Sequence, residues 1–321
     1  MTLQDFLSEW HAPGDTVLVH TSGSTGRPKP MQVEKQRMLN SARITCDFLD
    51  LKPGDTALLC MPLDYIAGKM VVVRAIERHL RLISVKPSGH PLAEVKGPLR
   101  FAAMVPLQVY NSLQVEDERQ RLMAIGDLII GGGAIDDSLQ QALKDFPHRV
   151  WSTYGMTETL SHIALRRLNG PEASLWYTPF PSVTVSLNRD GCLVIDAPLV
   201  YDGPLETHDR AEIRQGQFRI LGRIDNVIDS GGIKIQIEEV ERLLKPHLKA
   251  PFLITKRNDP RLGEAVVLLT EDADLGKVQQ TCESILPHYW RPRTYKHVSS
   301  LPMTETGKPA RHEAELLAET L

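Results

Sequence analysis

The sequence predicts an α/β protein: a larger N-terminal domain with a mostly parallel sheet and a small antiparallel, barrel-like part, then a small C-terminal α+β domain. Three observations carry this. Up to Gly155, short apolar strands alternate with segments of helical periodicity, which demands crossover connections and hence parallel strands. After Gly155 the pattern shifts to short strands joined by turns. Near Arg223-Ile224-Asp225 a second unit begins, and 321 residues at roughly 100 to 200 per domain accommodate two, 1–223 and 224–321.

The elements follow in order. TVLVH (16–20) is a β-branched run that stops at a glycine-rich stretch, a strand and then a loop. Met38, Leu39, Ala42, Cys46 and Leu49 recur at helical spacing and predict a helix over 34–49. TALLCMP (56–62) reads as a strand, GKMVVVRAIERHL (68–80) as a helix, and RLISV (81–85) as a strand. Strands are expected at DLIIGG (127–132) and RVWSTYG (149–155), with a helix over 136–146 between them. VTVSLN (183–188), GCLVIDA (191–197) and QFRILG (217–222) supply the antiparallel part. The second unit reads as a helix over 236–247, strands PFLITK and EAVVLLT, a helix over 275–286 and an extended tail.

Composition narrows the function. Lys and Arg number 37 against 40 Asp and Glu, so a formal charge of -3 gives no electrostatic case for nucleic acid or an anionic membrane. Cys46, Cys60, Cys192 and Cys282 are far apart, without metal-ligand spacing, and read as buried small hydrophobes in a reducing compartment. No run approaches the roughly 18 apolar residues of a membrane span, and the N-terminus has no apolar leader, so a cytoplasmic location is expected. A small-molecule ligand is the expected partner.

In VLVHTSGSTGRPKPM (17–31), glycines allow close backbone approach, serine and threonine supply donors and Lys29 a point charge, a combination suited to phosphate. The common NTPase P-loop is excluded by spacing, since two residues separate Gly23 from Gly26 and Lys29 is followed by Pro30. A plain surface loop is the alternative on composition alone.

TSGSTGRPK (21–29) resembles the phosphate-binding signature of the acyl-adenylate-forming superfamily. Four further segments resemble that superfamily in the same order: STYGMTET (152–159), ETHDRAEI (206–213), GRIDNVIDSGGIKIQIEEVE (222–241) and LPMTETGKPAR (301–311). The resemblance implies two steps. A carboxylate attacks the α-phosphate of ATP, giving an acyl-adenylate and pyrophosphate, and a thiol, that of coenzyme A, then displaces AMP.

By this resemblance, Thr21, Ser22, Gly23, Ser24, Thr25, Gly26 and Lys29 hold the β- and γ-phosphates. The backbone of Gly132, Gly133 and Ala134 lines the adenine and acyl carbonyl, and Tyr154, in the segment with Gly155 and Met156, stacks on adenine. Thr157 donates to the α-phosphate, and Glu158 holds Mg²⁺, a hard cation suited to carboxylate and phosphate oxygens. Asp209 accepts from the ribose hydroxyls with Arg223 beside it; Lys308 stabilises the charge developing in adenylation. The C-terminal domain is expected to rotate about a hinge at Asp225, bringing the loop of Ser230, Gly231 and Gly232 to the coenzyme A tunnel. Two departures stand out: His208 replaces the glycine of the family's TGD segment, and Ile237 replaces a usual proline.

The acid is read from MPLDYIAGKM (61–70), where Tyr65 replaces the family's histidine and Lys69 follows Gly68. A lysine beside an acyl pocket calls for an anion, which points to a second carboxylate on the substrate; a solvated lysine at a helix start is the alternative. Ser161, His162 and Arg166 are polar groups unsuited to a fatty-acyl pocket. These segments are most similar to the o-succinylbenzoate-CoA ligase branch, of the menaquinone pathway. Alternatives are ligation of another aryl or short acyl acid to coenzyme A, adenylation for a carrier protein, or nucleotide binding without catalysis. Only twenty residues precede the phosphate loop, against well over a hundred in relatives, so a sheet edge is expected to need other cover, such as a homodimer.

Overall fold

The structure is a computed structural model that describes residues 1–20, 30–304 and 308–320; elements and partners are given among these residues. Helix α1 (Leu3–His11) starts in a capping box between Thr2 and Asp5 and buries Phe6 and Trp10. Strands β1 (Thr16–His20) and β2 (Pro30–Glu34) pair antiparallel, Leu18 opposite Gln32.

The main sheet is built from crossovers. Helix α2 (Lys35–Phe48) leads to β3 (Thr56–Leu59), α3 (Ile66–Arg78) to β4 (Arg81–Ser84), and β5 (Phe101–Met104) is followed by α4 (Pro106–Gln114) and α5 (Glu116–Met123). Strand β6 (Asp127–Ile130), α6 (Asp137–Leu143) and β7 (Arg149–Gly155) continue the pattern; β8 (His162–Arg167) and β9 (Thr178–Pro179) add antiparallel strands at one edge. The order is β4-β3-β5-β6-β7-β8-β9, parallel from β4 to β7. Every residue of β3, β5 and β6 is buried, as expected of parallel strands covered on both faces.

A second sheet is formed by β10 (Thr184–Leu187), β11 (Cys192–Asp196), β12 (Pro204–Arg214) and β13 (Gln217–Arg223), antiparallel in sequence order. Register shifts at Cys192/Val194 and Arg210/Ala211 bend it into a curled half-barrel. Its residues share one hydrophobic core with the main sheet, from Phe6 to Phe218.

A 3₁₀ turn, Ile224–Asn226, leads to separate cores. There β14 (Val227–Ser230), β15 (Ile233–Gln236), α7 (Ile237–Leu244), β16 (Phe252–Asp259), β17 (Gly263–Thr270), α8 (Leu275–Ile285), β18 (Thr294–His297) and α9 (Arg311–Glu319) form a five-stranded sheet with helices on both faces. Strand periodicity explains the division. Val266 and Leu268 join α7 and α8 on one face, while Val267 and Leu269 meet Ala314 and Ala318 of α9 on the other.

The extended tail expected from the sequence is therefore corrected: its last part is α9, whose alanines at four-residue spacing pack against the sheet. The two units are tied across the turn. Lys245 donates to Asp136, the N-cap of α6, at 2.7 Å, and Gln236 donates to the Arg223 carbonyl at 2.9 Å.

Candidate functional site

Ligands of open parallel sheets bind beyond the carboxyl ends of the strands, and there the glycines are dictated by space. A Cβ on Gly131, just past β6, would stand 2.3 Å from Thr153 Oγ1; one on Gly155, at the end of β7, would stand 2.2 Å from the Ser161 carbonyl. Gly132 has a left-handed φ of 78°, and Gly132, Gly133 and Ala134 are exposed at the strand end. Beyond Gly155, Thr157 is buried and Glu158 half-buried in a turn closed by the Thr159 hydroxyl, which accepts from Met156 N–H at 3.0 Å. Glu158 has no ion-pair partner among the described residues, which also contain no group of three or more acidic, histidine or cysteine side chains that could enclose a metal. One open carboxylate fits Mg²⁺, which is held by one or two carboxylates together with substrate phosphates.

A polar network meets this strand end from the half-barrel. Tyr154 packs edge-on against Phe218 and donates its hydroxyl to Asp209 at 2.6 Å. Burial, reinforced by the Asp209 charge, pushes the Tyr154 hydroxyl far above its ordinary value, so it remains a donor. Asp209 and Arg223 are register partners on β12 and β13, and Arg223 Nη1 lies 3.4 Å from Asp209. Arg223 Nη2 donates to Asp225 at 2.8 Å, and His208 Nδ1 lies 2.9 Å from the same carboxylate. Burial would raise the Asp225 carboxyl, but the hydrogen bonds of His208 and Arg223 hold it below its ordinary value.

Lys308 belongs to the second unit. Its backbone is fixed in a tight turn, with Thr304 N–H donating to the Lys308 carbonyl at 2.7 Å and Lys308 N–H to Thr304 Oγ1 at 3.1 Å. Burial, and then the like charge of Arg223, lower its ammonium below the ordinary value. No carboxylate lies within ion-pair distance of it among the described residues. Tyr154, Asp209, Arg223 and Asp225 are thus brought together, and Lys308 feels the charge of Arg223. Ser230, Gly231 and Gly232 form the turn between β14 and β15, Gly231 and Gly232 with left-handed φ of 63° and 82°. Thr21, Ser22, Gly23, Ser24, Thr25, Gly26 and Lys29 lie outside the described residues.

The acid-binding expectations divide. Lys69 is buried, but on the side of α1 and β1: Nζ donates to the Leu18 carbonyl at 2.5 Å, lies 3.8 Å from Glu9 and sits 5.5 Å from the Phe6 ring centroid. Glu9 also accepts from Leu18 N–H at 3.1 Å, so the two side chains seal β1 on its open side. The charge expected to face a substrate carboxylate is used within the protein. Tyr65 is the N-cap residue of α3. Ser161 and His162 meet a residue that the sequence reading passed over, Arg74.

Arg74 is 2% exposed. It donates to Ser161 Oγ at 2.5 Å and lies 3.4 Å from Thr45 Oγ1, while its Nε has no hydrogen-bond partner. His162 Nε2 lies 3.1 Å from the same Thr45 hydroxyl. Burial pushes Arg74 down to about 10, which leaves it charged at neutral pH. Its neighbours supply no counter-charge: burial and then Arg74 drive His162 well below its ordinary value, and burial pushes the Cys46 thiol up to about 11. The available signal was a charged residue inside the apolar run VVVRAI, which periodicity alone assigns to the core.

The molecule was compared with known proteins. A family model described as AMP-binding enzyme matches residues 6–198. The chain is 29% identical, over 80% of its length, to the 2-succinylbenzoate–CoA ligase of Salmonella typhimurium, of which it covers 55%; it spans about half the length of the curated relatives it matches. Its fold is similar to an acyl-CoA synthetase (AMP-forming)/AMP-acid ligase II-like protein from Dyadobacter fermentans, with 32% identity, a TM-score of 0.66 and coverage of 98% of this chain and 92% of that one. It also resembles the Bacillus subtilis o-succinylbenzoate coenzyme A synthetase solved with ATP and magnesium, with 21% identity, a TM-score of 0.77 and coverage of 92% and 69%. No described helix is long and apolar enough to cross a membrane.

Proposed function

The chain belongs to the AMP-binding enzyme family, and from that premise we propose that it ligates o-succinylbenzoate to coenzyme A through an acyl-adenylate, releasing AMP and pyrophosphate. Residues 1–223 would bind nucleotide and acid, and 224–321 would form a mobile unit carrying the adenylation lysine, with the protein acting in the cytoplasm. The observation that carries the adenylation reading is Lys308, a buried ammonium that feels the charge of Arg223 and has no carboxylate within ion-pair distance among the described residues, while Arg223 itself holds Asp209. Carboxylate and α-phosphate repel each other, and an ammonium between them stabilises the charge that concentrates as they join. Asp209 would accept from the ribose hydroxyls and Tyr154 would flank the adenine. Mg²⁺, held by Glu158 and the nucleotide's phosphates, would neutralise the departing pyrophosphate. In the second step Ser230, Gly231 and Gly232 would line the thiol's approach.

Arg74 supports a dicarboxylic acid. A buried guanidinium whose described partners are hydroxyls is costly until an anion meets it, and o-succinylbenzoate keeps one carboxylate when the other is activated. The test is AMP release dependent on coenzyme A, with ATP and Mg²⁺, over mono- and dicarboxylic aryl acids. Turnover of o-succinylbenzoate well ahead of benzoate is expected. Benzoate turnover alone would overturn the acid assignment, and no turnover with any acid would leave a nucleotide-binding relative.

A further inference from the structure

His208 on β12 has no role in the reaction as proposed, and it stands where the resembling segment carries glycine. Its Nδ1 lies 3.0 and 2.9 Å from the two carboxylate oxygens of Asp225. Asp225 belongs to the 3₁₀ turn through which the chain passes from the first core to the second. Arg223 grips the same carboxylate and extends to Asp209, while Glu238 of α7 accepts from Asn226 Nδ2 at 2.5 Å and Gln236 bonds the Arg223 carbonyl. The junction is therefore held from both sides. A carboxylate held by one guanidinium can swing about that contact; a second donor from another strand removes the freedom, and glycine at 208 would supply none.

We propose that His208 is a positioning residue: through Asp225 it fixes the junction, and with it the orientation in which the second unit carries Lys308. This rests on the adenylation reading. The charged groups that meet at this contact are Asp225, which faces the imidazole, and Arg223 on the same carboxylate.

Two measurements on the full chain test this: amide hydrogen exchange of residues 224–227 without ligands, corrected for intrinsic rates, and pyrophosphate release with ATP, Mg²⁺ and o-succinylbenzoate. His208→Gly is expected to speed exchange at the junction and to slow the kcat of adenylation, each roughly 5- to 20-fold, while KM for ATP and acid shift less than about threefold. His208→Asn keeps a donor to Asp225 and should restore both slow exchange at the junction and most of the kcat. Unchanged junction exchange in His208→Gly, a rise spread over the whole chain, or a KM for ATP that rises as much as kcat falls would each overturn the proposal. Absence of pyrophosphate release from the native chain with any acid would instead sink the adenylation reading, while the exchange measurement still decides the role of His208.

Discussion

Arg223 and Arg74 are provided for in opposite ways. Arg223, with its side chain 35% exposed, bonds two carboxylates, Asp209 and Asp225, and those carboxylates have further partners in Tyr154 and His208. Arg74 is 2% exposed and has two hydroxyls, with Nε unbonded. On the proposed reading, the nucleotide end would be preorganised by the protein's own counter-charges, as suits a ligand part common to every turnover. The acid end would leave a positive charge without a described counter-charge, and selectivity would come from the ligand that matches it.

The largest effect that would sharpen this contrast is at the nucleotide end. Lys308→Ala should slow adenylate formation roughly 10²- to 10³-fold while sparing thiolysis of a supplied adenylate, both read in single-turnover assays; equal losses in the two halves would show that Lys308 holds structure and not charge. At the acid end, Arg74→Met should raise KM for o-succinylbenzoate roughly 10- to 100-fold and leave benzoate within about twofold. Its melting temperature should hold or rise, because an apolar chain replaces a buried unpaired cation. A fall in melting temperature with no KM change would assign Arg74 to the core and erase the comparison.

Lys69 is the control for that experiment. Lys69→Met should lower stability by roughly 1 to 3 kcal/mol in denaturant unfolding, through the lost bond to the Leu18 carbonyl, and leave KM for the acid unchanged. The smallest effect concerns the tie between the units. Burial would raise the Asp136 carboxyl, but its bonds to Lys245, Ser138 and Leu139 N–H lower it from 3.8 to about 2. A depressed carboxyl stabilises the fold above its unfolded pKa and loses that contribution as pH falls through the folded one. Lys245→Ala should therefore cost less than about 1 kcal/mol at pH 7, with the difference from the native chain shrinking from pH 4 to pH 2.

What was legible is local: the strand ends, the glycines just past β6, and Asp209 and Arg223, which fall in two short segments singled out in the sequence and are brought into register by β12 and β13. The contacts of Lys69 and Arg74 were not, because they depend on which face of α3 meets which neighbour. Lys69 and Arg74 are five residues apart, about 140° around a helix, so one meets α1 and β1 while the other meets Thr45 and Ser161. Both lie in an apolar segment, and a sequence shows that charges are buried there without showing toward what. Helix α9 was missed for a related reason: its fully buried residues are two alanines, too small to stand out as an apolar stripe.

Those alanines belong to a mounting. Arg311, the first residue of α9 and three beyond Lys308, makes a two-pronged bond to Glu241 of α7, both contacts at 2.7 Å, and a third to the Ile254 carbonyl at 2.9 Å. The fork joins the end of the Lys308 turn to a helix and a strand at once. With Asp225 as the proposed pivot, the second unit would work as a lever that carries the Lys308 turn near its tip, so play at the pivot would become displacement of the charge. A small loosening at the pivot would be magnified at the point where two anions have to meet.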